Sequence, residues 1–383
     1  VLIADEPTTA LDVTVQKEII ELIREIQKET KMSVIFITHD LALISEIADR
    51  TIVMYNGEIV EAGITSRIFK TPKHTYTKAL IAARPKTSKR LKKLPTINDI
   101  LKNDYKKKYI LKKERKKAHK IIYSSKPILE IIDLKKTYFS SIGFFKKKIL
   151  FNAIDGVSFK LFEGETLGLV GESGCGKTSL VETIIQLKKP SSGKIIYKGK
   201  NLDSMTKKET RLLRKEIQII FQDPLASLNP KLTIGKAIIE PMKVHNLFEN
   251  YAARKEKTIE LLYKVGLDKS AFNRYPHEFS GGQRQRIGIA RTIALKPKLI
   301  LCDESVSALD VSVQAQIINL LNSLKKDFGF TYIFISHDLA VVRFISDRVL
   351  VMKESKKVEM GFTESIYSNP KEQYTQKLLG PIP

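Results

Sequence analysis

The chain has 383 residues, 43% of them hydrophobic, a formal net charge of +24 and two cysteines. Its apolar runs all fall short of the about 18 residues that a membrane-spanning helix needs, and two cysteines are too few for a disulfide framework. A transmembrane bundle and a disulfide-stapled scaffold are therefore excluded, and the length suits two domains.

In chain order, residues 1–83 alternate short apolar runs with helical patterns. A strand is expected over Val1–Ala4, a helix over Val13 to about Glu29, a strand over Ser33–Thr38, a helix over Leu41–Ala48 and a strand over Thr51–Tyr55. That alternation predicts a parallel α/β sheet. Asn56-Gly57 then makes a hairpin turn into Ile59–Glu61, and short helices are expected around Ser66–Phe69 and Tyr76–Ala83. Because Val1 opens directly into an apolar strand ending at Asp5-Glu6, the chain is expected to enter a domain partway through, as an amino-terminally truncated form.

Residues 84–126 are lysine-rich and lack glycine. Residues 86–126 hold 14 lysines and two arginines against Asp99, Asp104 and Glu114, a net +13 that is more than half of the total. This segment is expected as a self-repelling linker, reaching roughly 35 Å as flexible coil, with a weak helical pattern around Tyr105–Lys120.

A strand over Ile128–Leu134, a turn region containing Tyr138 and a strand over Gly156–Leu161 lead to the apolar run Thr166–Val170. Next comes Gly171-Glu172-Ser173-Gly174-Cys175-Gly176-Lys177-Thr178, with a helical pattern from Ser179. The glycines let successive N–H groups turn inward on phosphate oxygens, the helix adds its positive end, Lys177 supplies a point charge and Thr178 a hydroxyl for Mg²⁺. Residues 205–275 read as mostly helical, and an inserted helical subdomain is expected over about 205–290. Cys175 and Cys302 lack metal-ligand spacing, so no cysteine-bound cluster is expected.

Lys298–Glu304 reads as a buried strand that delivers Asp303 and Glu304 to its carboxyl end, where ligands bind in open α/β sheets. Asp303 suits Mg²⁺, and Glu304 suits a general base toward an attacking water. His337 ends the strand Tyr332–Ser336 and is expected at the γ-phosphate. Gln222 sits on a loop joined to the helical insert and can touch Mg²⁺ and that water. Ser280-Gly281-Gly282-Gln283 opens a second helix, Arg284–Leu295, and offers another anion site.

An internal repeat decides the organisation. Asp5-Glu6 matches Asp303-Glu304, Leu11-Asp12 matches Leu309-Asp310, His39-Asp40 matches His337-Asp338 and Tyr76-Thr77 matches Tyr374-Thr375, all at one offset. One whole domain thus follows the last part of a homologous one. A second anion site in the whole domain makes most sense if each nucleotide is sandwiched between two such domains.

Gly171–Thr178, Gln222, Phe279–Gln283, Asp303-Glu304, Ser307–Asp310 and His337 together resemble the Walker A, Q-loop, signature, Walker B, D-loop and H-loop of an ABC ATPase. Phe221-Gln222-Asp223-Pro224, Arg274–Phe279 and the tail Asn369–Thr375 further resemble the oligopeptide/dipeptide importer ATPases. The resemblance implies an α/β P-loop NTPase fold with a mixed-sheet core, an antiparallel β subdomain and a helical subdomain. It covers 127–383 as a complete cassette and 1–83 as the end of its partner.

It further implies ATP with Mg²⁺, bound by Gly171–Ser179 with Tyr138 stacked on adenine. Thr178, Gln222 and Asp303 would hold the metal, and Lys177, Gln222, Glu304 and His337 would serve catalysis. Ser280–Gln283 would grip ATP of an opposing cassette, and Asp310 would cross the interface. Implied partners are integral-membrane permease subunits, a second cassette and, indirectly, an extracytoplasmic solute-binding protein, at the cytoplasmic face of the membrane. Ser305 departs from the proline usual after the Walker B glutamate, and the cysteine cluster of some first cassettes is absent, so no iron–sulfur centre is expected. The first copy holds Asp5, Glu6, Asp12 and His39 but no Walker A, Q-loop or signature, and is expected not to bind ATP. The alternative is a twin-cassette ATPase acting on ribosomes or nucleic acid. Such cassettes carry Asn-His before Leu-Asp, whereas Thr-Ala and Ser-Ala stand here, which favours an importer without specific nucleic-acid binding.

Overall fold

The computed structural model describes residues 1–8, 13–83, 90–102, 105–142, 147–307 and 309–380. They fall into two compact units, one built on Val1–Ile110 with Ser307–Asn319, the other on Leu111–Val306 and the chain from Leu320. No helix among the described residues is long and apolar enough to cross a membrane.

In the first unit, β1 (Leu2–Asp5) pairs in parallel with β2 (Val34–Ile37), and α1 (Val13–Thr30) connects them. The Asp40 carboxylate caps α2 (Leu41–Ile47) by accepting from the Ala42 and Leu43 N–H groups. β3 (Arg50–Tyr55) and β4 (Glu58–Ile64) form the expected hairpin, with Asn56 and Gly57 both at positive φ (52° and 83°) as a two-residue turn demands. Three short helices follow: α3 (Thr65–Lys70), α4 (Thr75–Ala83) and α5 (Ile97–Leu101).

The second unit starts with α6 (Lys112–Ile122) and two long antiparallel strands, β5 (Pro127–Ile142) and β6 (Lys147–Phe162). Then come β7 (Thr166–Val170), α7 (Lys177–Ile184), β8 (Ser192–Tyr197), β9 (Lys200–Asn201), α8 (Lys207–Glu216) and β10 (Ile217–Ile220). α9 (Ile234–Val244), α10 (Tyr251–Lys264) and α11 (Gly281–Ile293) precede β11 (Leu299–Asp303), α12 (Val311–Phe328) and β12 (Thr331–Ile335). The chain closes with α13 (Leu339–Ile345), β13 (Arg348–Lys353), β14 (Lys356–Phe362), α14 (Thr363–Ser368) and α15 (Gln373–Leu379).

The core is a six-stranded sheet in the order β10-β11-β12-β7-β13-β14, parallel except for β14. A separate antiparallel sheet runs β6-β5-β8-β9. All five residues of β7 are buried, and Leu167 and Leu169 pack with Leu180, Leu299, Leu301 and Ile333. Burial on both faces is why these strands read as unbroken apolar runs.

Three expectations need correction. Tyr138 lies within β5, opposite Phe151, and not in a turn; register shifts around Ile131, Leu134 and Lys136 break the alternation that marks a strand. β10 lies inside the stretch expected to be helical yet is an edge strand of the core sheet, because four residues are too few for periodicity to separate strand from helix. Residues 84–126 are not wholly flexible coil. A Thr96–Asp99 capping box starts α5, Leu91 bridges to Tyr109, and Leu94 and Ile97 are buried. Counting charge hid these apolar anchors; residues 84–89 and 103–104 lie outside the described ones.

Candidate functional site

The strand order gathers four loops at the carboxyl end of one sheet. β7 runs into Gly171–Thr178, β11 ends at Asp303-Glu304, β12 is followed by His337, and Gln222 lies exposed two residues past β10. Gly171, Gly174 and Gly176 adopt φ of 150°, 77° and 100°. A Cβ on Gly176 would sit 2.0 Å from the Ala153 carbonyl oxygen, and one on Gly171 2.2 Å from that of Met352. Only glycine fits either position. α7 starts with no side-chain cap, which leaves its first N–H groups for an anion.

The buried Lys177 ammonium folds back to donate to the Gly171 and Glu172 carbonyls at 2.8 and 2.9 Å. Its Nζ lies 3.9 Å from the Cys175 sulfur, whose thiol is pushed up by burial, partly countered by Lys177. Ser173 and Thr178 are exposed, and Ser179 accepts from the Thr183 hydroxyl at 2.6 Å through its carbonyl. The Tyr374 hydroxyl accepts from the Glu172 N–H at 3.3 Å, a contact that no local motif signals.

Two consecutive carboxylates face this loop in unlike surroundings. Burial, and then the Glu304 charge, push Asp303 up to about 6, against the pull of Lys177 and a Thr178 hydrogen bond. Asp303 Oδ1 is buried without a hydrogen-bond partner. A buried orphan carboxylate oxygen beside a threonine hydroxyl fits the oxygen-rich shell that Mg²⁺ takes. Burial would raise Glu304 too, but a hydrogen bond and charge from His337, with Lys177 beyond, hold it below the usual carboxylate range. Glu304 Oε1 lies 2.7 Å from His337 Nε2, and its backbone sits at φ 48° with N–H donating to the Ile335 carbonyl at 3.1 Å.

The other candidates make local contacts of their own. Ser280 caps α11 by accepting from the Gln283 N–H, while Gln283 Oε1 accepts from the Ser280 N–H at 3.0 Å, with Gly281 and Gly282 as the first helical residues. Tyr138 is partly buried beneath the Lys136 ammonium, 5.0 Å from its ring centroid. Asp310, in the first unit, caps α12: its Oδ1 accepts from the Ser312 and Val313 N–H groups at 3.0 Å. The first copy repeats part of the site. Asp5 ends β1, Glu6 sits at φ 45°, and Glu6 Oε1 lies 2.9 Å from His39 Nδ1, while Asp12 lies outside the described residues.

Known proteins resemble this chain in sequence and in fold. The family described as ABC transporter matches residues 154–307, and that described as oligopeptide/dipeptide transporter, C-terminal region, matches residues 60–108. The glutathione import ATP-binding proteins GsiA of Escherichia coli and Shigella flexneri are 47% identical over 391 aligned positions, covering 100% of this chain and 61% of theirs. The chain thus spans about three fifths of the length of these relatives. Among solved structures, cbiO1 of Clostridium perfringens, part of the ABC transporter complex cbiONQ, aligns with TM-score 0.55 and 26% identity over 64% of this chain and 92% of that one. The ATP-binding cassette MJ0796, a dimer in a post-hydrolysis state bound to ADP and Pi, aligns with TM-score 0.55 and 27% identity over 61% of this chain and 98% of that one.

Proposed function

The chain belongs to the ABC transporter family of ATP-binding proteins, and from that premise we propose that it binds and hydrolyses ATP to power import of peptides or related small solutes. The observation that carries this reading is the meeting of the glycine cradle, the orphan Asp303 oxygen and the His337-held Glu304 at one sheet end. The peptide class rests on the 60–108 match and on relatives that import glutathione.

In this reading the Gly171–Ser179 backbone receives the phosphates, and Lys177 exchanges its two carbonyl partners for phosphate oxygens. Thr178, Asp303 and Gln222 would hold Mg²⁺, which would supply positive charge against the phosphate oxygens. Glu304, kept ionised by its surroundings, orients a water and takes its proton, and His337 fixes the carboxylate for that task. Tyr138 supplies an aromatic face for adenine. Ser280–Gln283 and Asp310 serve an opposing cassette, so the working unit pairs two cassettes.

Residues 1–83 are the end of a first cassette, 84–126 the connection and 127–383 a complete second cassette. The partners are permease subunits and, through them, an extracytoplasmic binding protein, with the chain peripheral at the cytoplasmic membrane face.

The test is the ATPase rate against protein concentration with Mg²⁺, with Lys177→Ala as control. A specific rate that climbs with concentration and vanishes in the control supports two complete cassettes pairing in trans. Hydrolysis indifferent to Lys177→Ala refutes the reading.

A further inference from the structure

Within the basic stretch, residues 90–102 and 105–110 close on each other. Around the Leu91–Tyr109 bridge, the Lys92 N–H donates to the Lys108 carbonyl at 2.7 Å and the Ile110 N–H to the Arg90 carbonyl at 3.0 Å. Inside the closure Lys93 pairs with Asp99 at 3.0 Å, and the Tyr105 hydroxyl donates to the Lys93 carbonyl at 2.9 Å. Leu94, within this closure, is a fully buried side chain.

The Leu94 backbone is held from both sides by one carboxamide. Asn319 Oδ1 accepts from the Leu94 N–H at 2.9 Å, and Asn319 Nδ2 donates to the Leu94 carbonyl at 2.8 Å. An amide carries acceptor and donor side by side, so it reads a single extended residue as a neighbouring strand would. Asn319 lies on α12, about two turns beyond the end that Asp310 caps. α5 packs on α4 within the same unit. On α4, the Tyr76 phenol is raised first by burial and next by the Asp310 charge, which places that carboxylate in its electrostatic reach.

We infer that the described residues 90–102 and 105–110 form a strap that fastens the tail helices of the first copy to α12 through a Leu94–Asn319 clasp, and that Asn319 is a positioning residue for Asp310. The strap stands on geometry alone; the positioning role rests on the ATPase reading. Asn319 touches no group assigned to nucleotide, so its loss should lower turnover and leave the apparent affinity for ATP unchanged.

The experiment compares the full chain with Asn319→Leu and with Leu94→Ala, which opens the clasp from the other side should the first variant fold poorly. Limited trypsin digestion reads cleavage after Lys92, Lys93 and Lys102, and steady-state kinetics separate kcat from KM. Losing both hydrogen bonds should open the strap about tenfold or more often, with cleavage accelerated in proportion. kcat should drop severalfold at constant KM in both variants, and Asn319→Gln, which keeps the carboxamide, should recover part of both effects. Wild-type cleavage rates in both variants overturn the strap. Faster cleavage with unchanged kcat, or a KM that rises with it, overturns the positioning role. If Lys177→Ala leaves hydrolysis intact, the ATPase reading falls and takes the positioning role with it, while digestion still decides the strap.

Discussion

Asp303 and Glu304 are adjacent in sequence and opposite in electrostatic condition, and that contrast separates their tasks. Burial and the neighbouring charge push Asp303 up to about 6, a cost that a bound divalent cation would remove. Glu304 stays ionised because His337 stands 2.7 Å away. Glu304→Gln should therefore cut turnover roughly 10²- to 10⁴-fold while ATP still binds, since only the base is lost; equal loss of binding in a fluorescent-nucleotide titration would count against that role. Gly176→Ala should instead abolish binding, because its new methyl meets the Ala153 carbonyl at 2.0 Å with φ at 100°. Calorimetry showing an unchanged affinity would contradict the cradle. Glycine spacing and the carboxylate pair were legible in the sequence because each is local. The Ala153 and Met352 carbonyls and the Tyr374 hydroxyl, which shape the same loop, come from distant elements and leave no signal near it.

Elements became illegible where apolar content was short or overlain by charge. α6 shows this most clearly: by composition it belongs to a basic linker, yet Arg115 is largely buried, pairs with Glu364 and donates to the Ser346 carbonyl at 2.8 Å. His119 stacks on Phe362 with ring centroids 5.0 Å apart. Arg115→Ala should destabilise the second unit by about 1–3 kcal/mol, because the Ser346 carbonyl loses a charged donor; denaturant midpoints unchanged by the substitution would place α6 outside the cooperative unit. The tail offers a pH-dependent counterpart. Burial alone would raise Glu359, but the Lys371 and Glu372 N–H groups, which donate to its two oxygens at 3.1 and 3.2 Å, help to offset it, and it is held below the usual range. A depressed carboxyl stabilises the fold above its unfolded-state value and loses that contribution as pH falls through the folded one. Protection factors of the α15 amides, with the intrinsic pH dependence of exchange divided out, should accordingly fall on acidification, and Glu359→Gln should remove most of that pH dependence.

At the scale of the molecule, the repeat lets one half of the chain interpret the other. β7 sits between β12 and β13 in the second unit, whereas their counterparts β2 and β3 lie in separate two-stranded sheets. Side chains register the difference at equivalent positions. Ile35 and Ile52 are 53% and 60% exposed, while Ile333 and Leu350, at the same offset, are 1% and 0% exposed. Ile37 and Met54 are likewise exposed where Ile335 and Met352 are buried. The apolar pattern of a parallel strand pair is thus preserved in the first copy without a neighbouring strand between them among the described residues, and each large aliphatic side chain left uncovered forgoes about 1.5–3 kcal/mol. The repeat itself could be read from residue identity, but this consequence could not, since sequence shows which residues want burial and not which strand buries them. Residues 1–83 expressed alone should therefore lack a cooperative thermal transition and bind a hydrophobic dye, while 127–383, whose sheet includes its own central strand, should unfold in one sharp step. A well-dispersed amide spectrum for the isolated 1–83 would mean that its two hairpin-sized sheets reach a stable packing without a strand between them, and the exposed isoleucines would then need a different explanation.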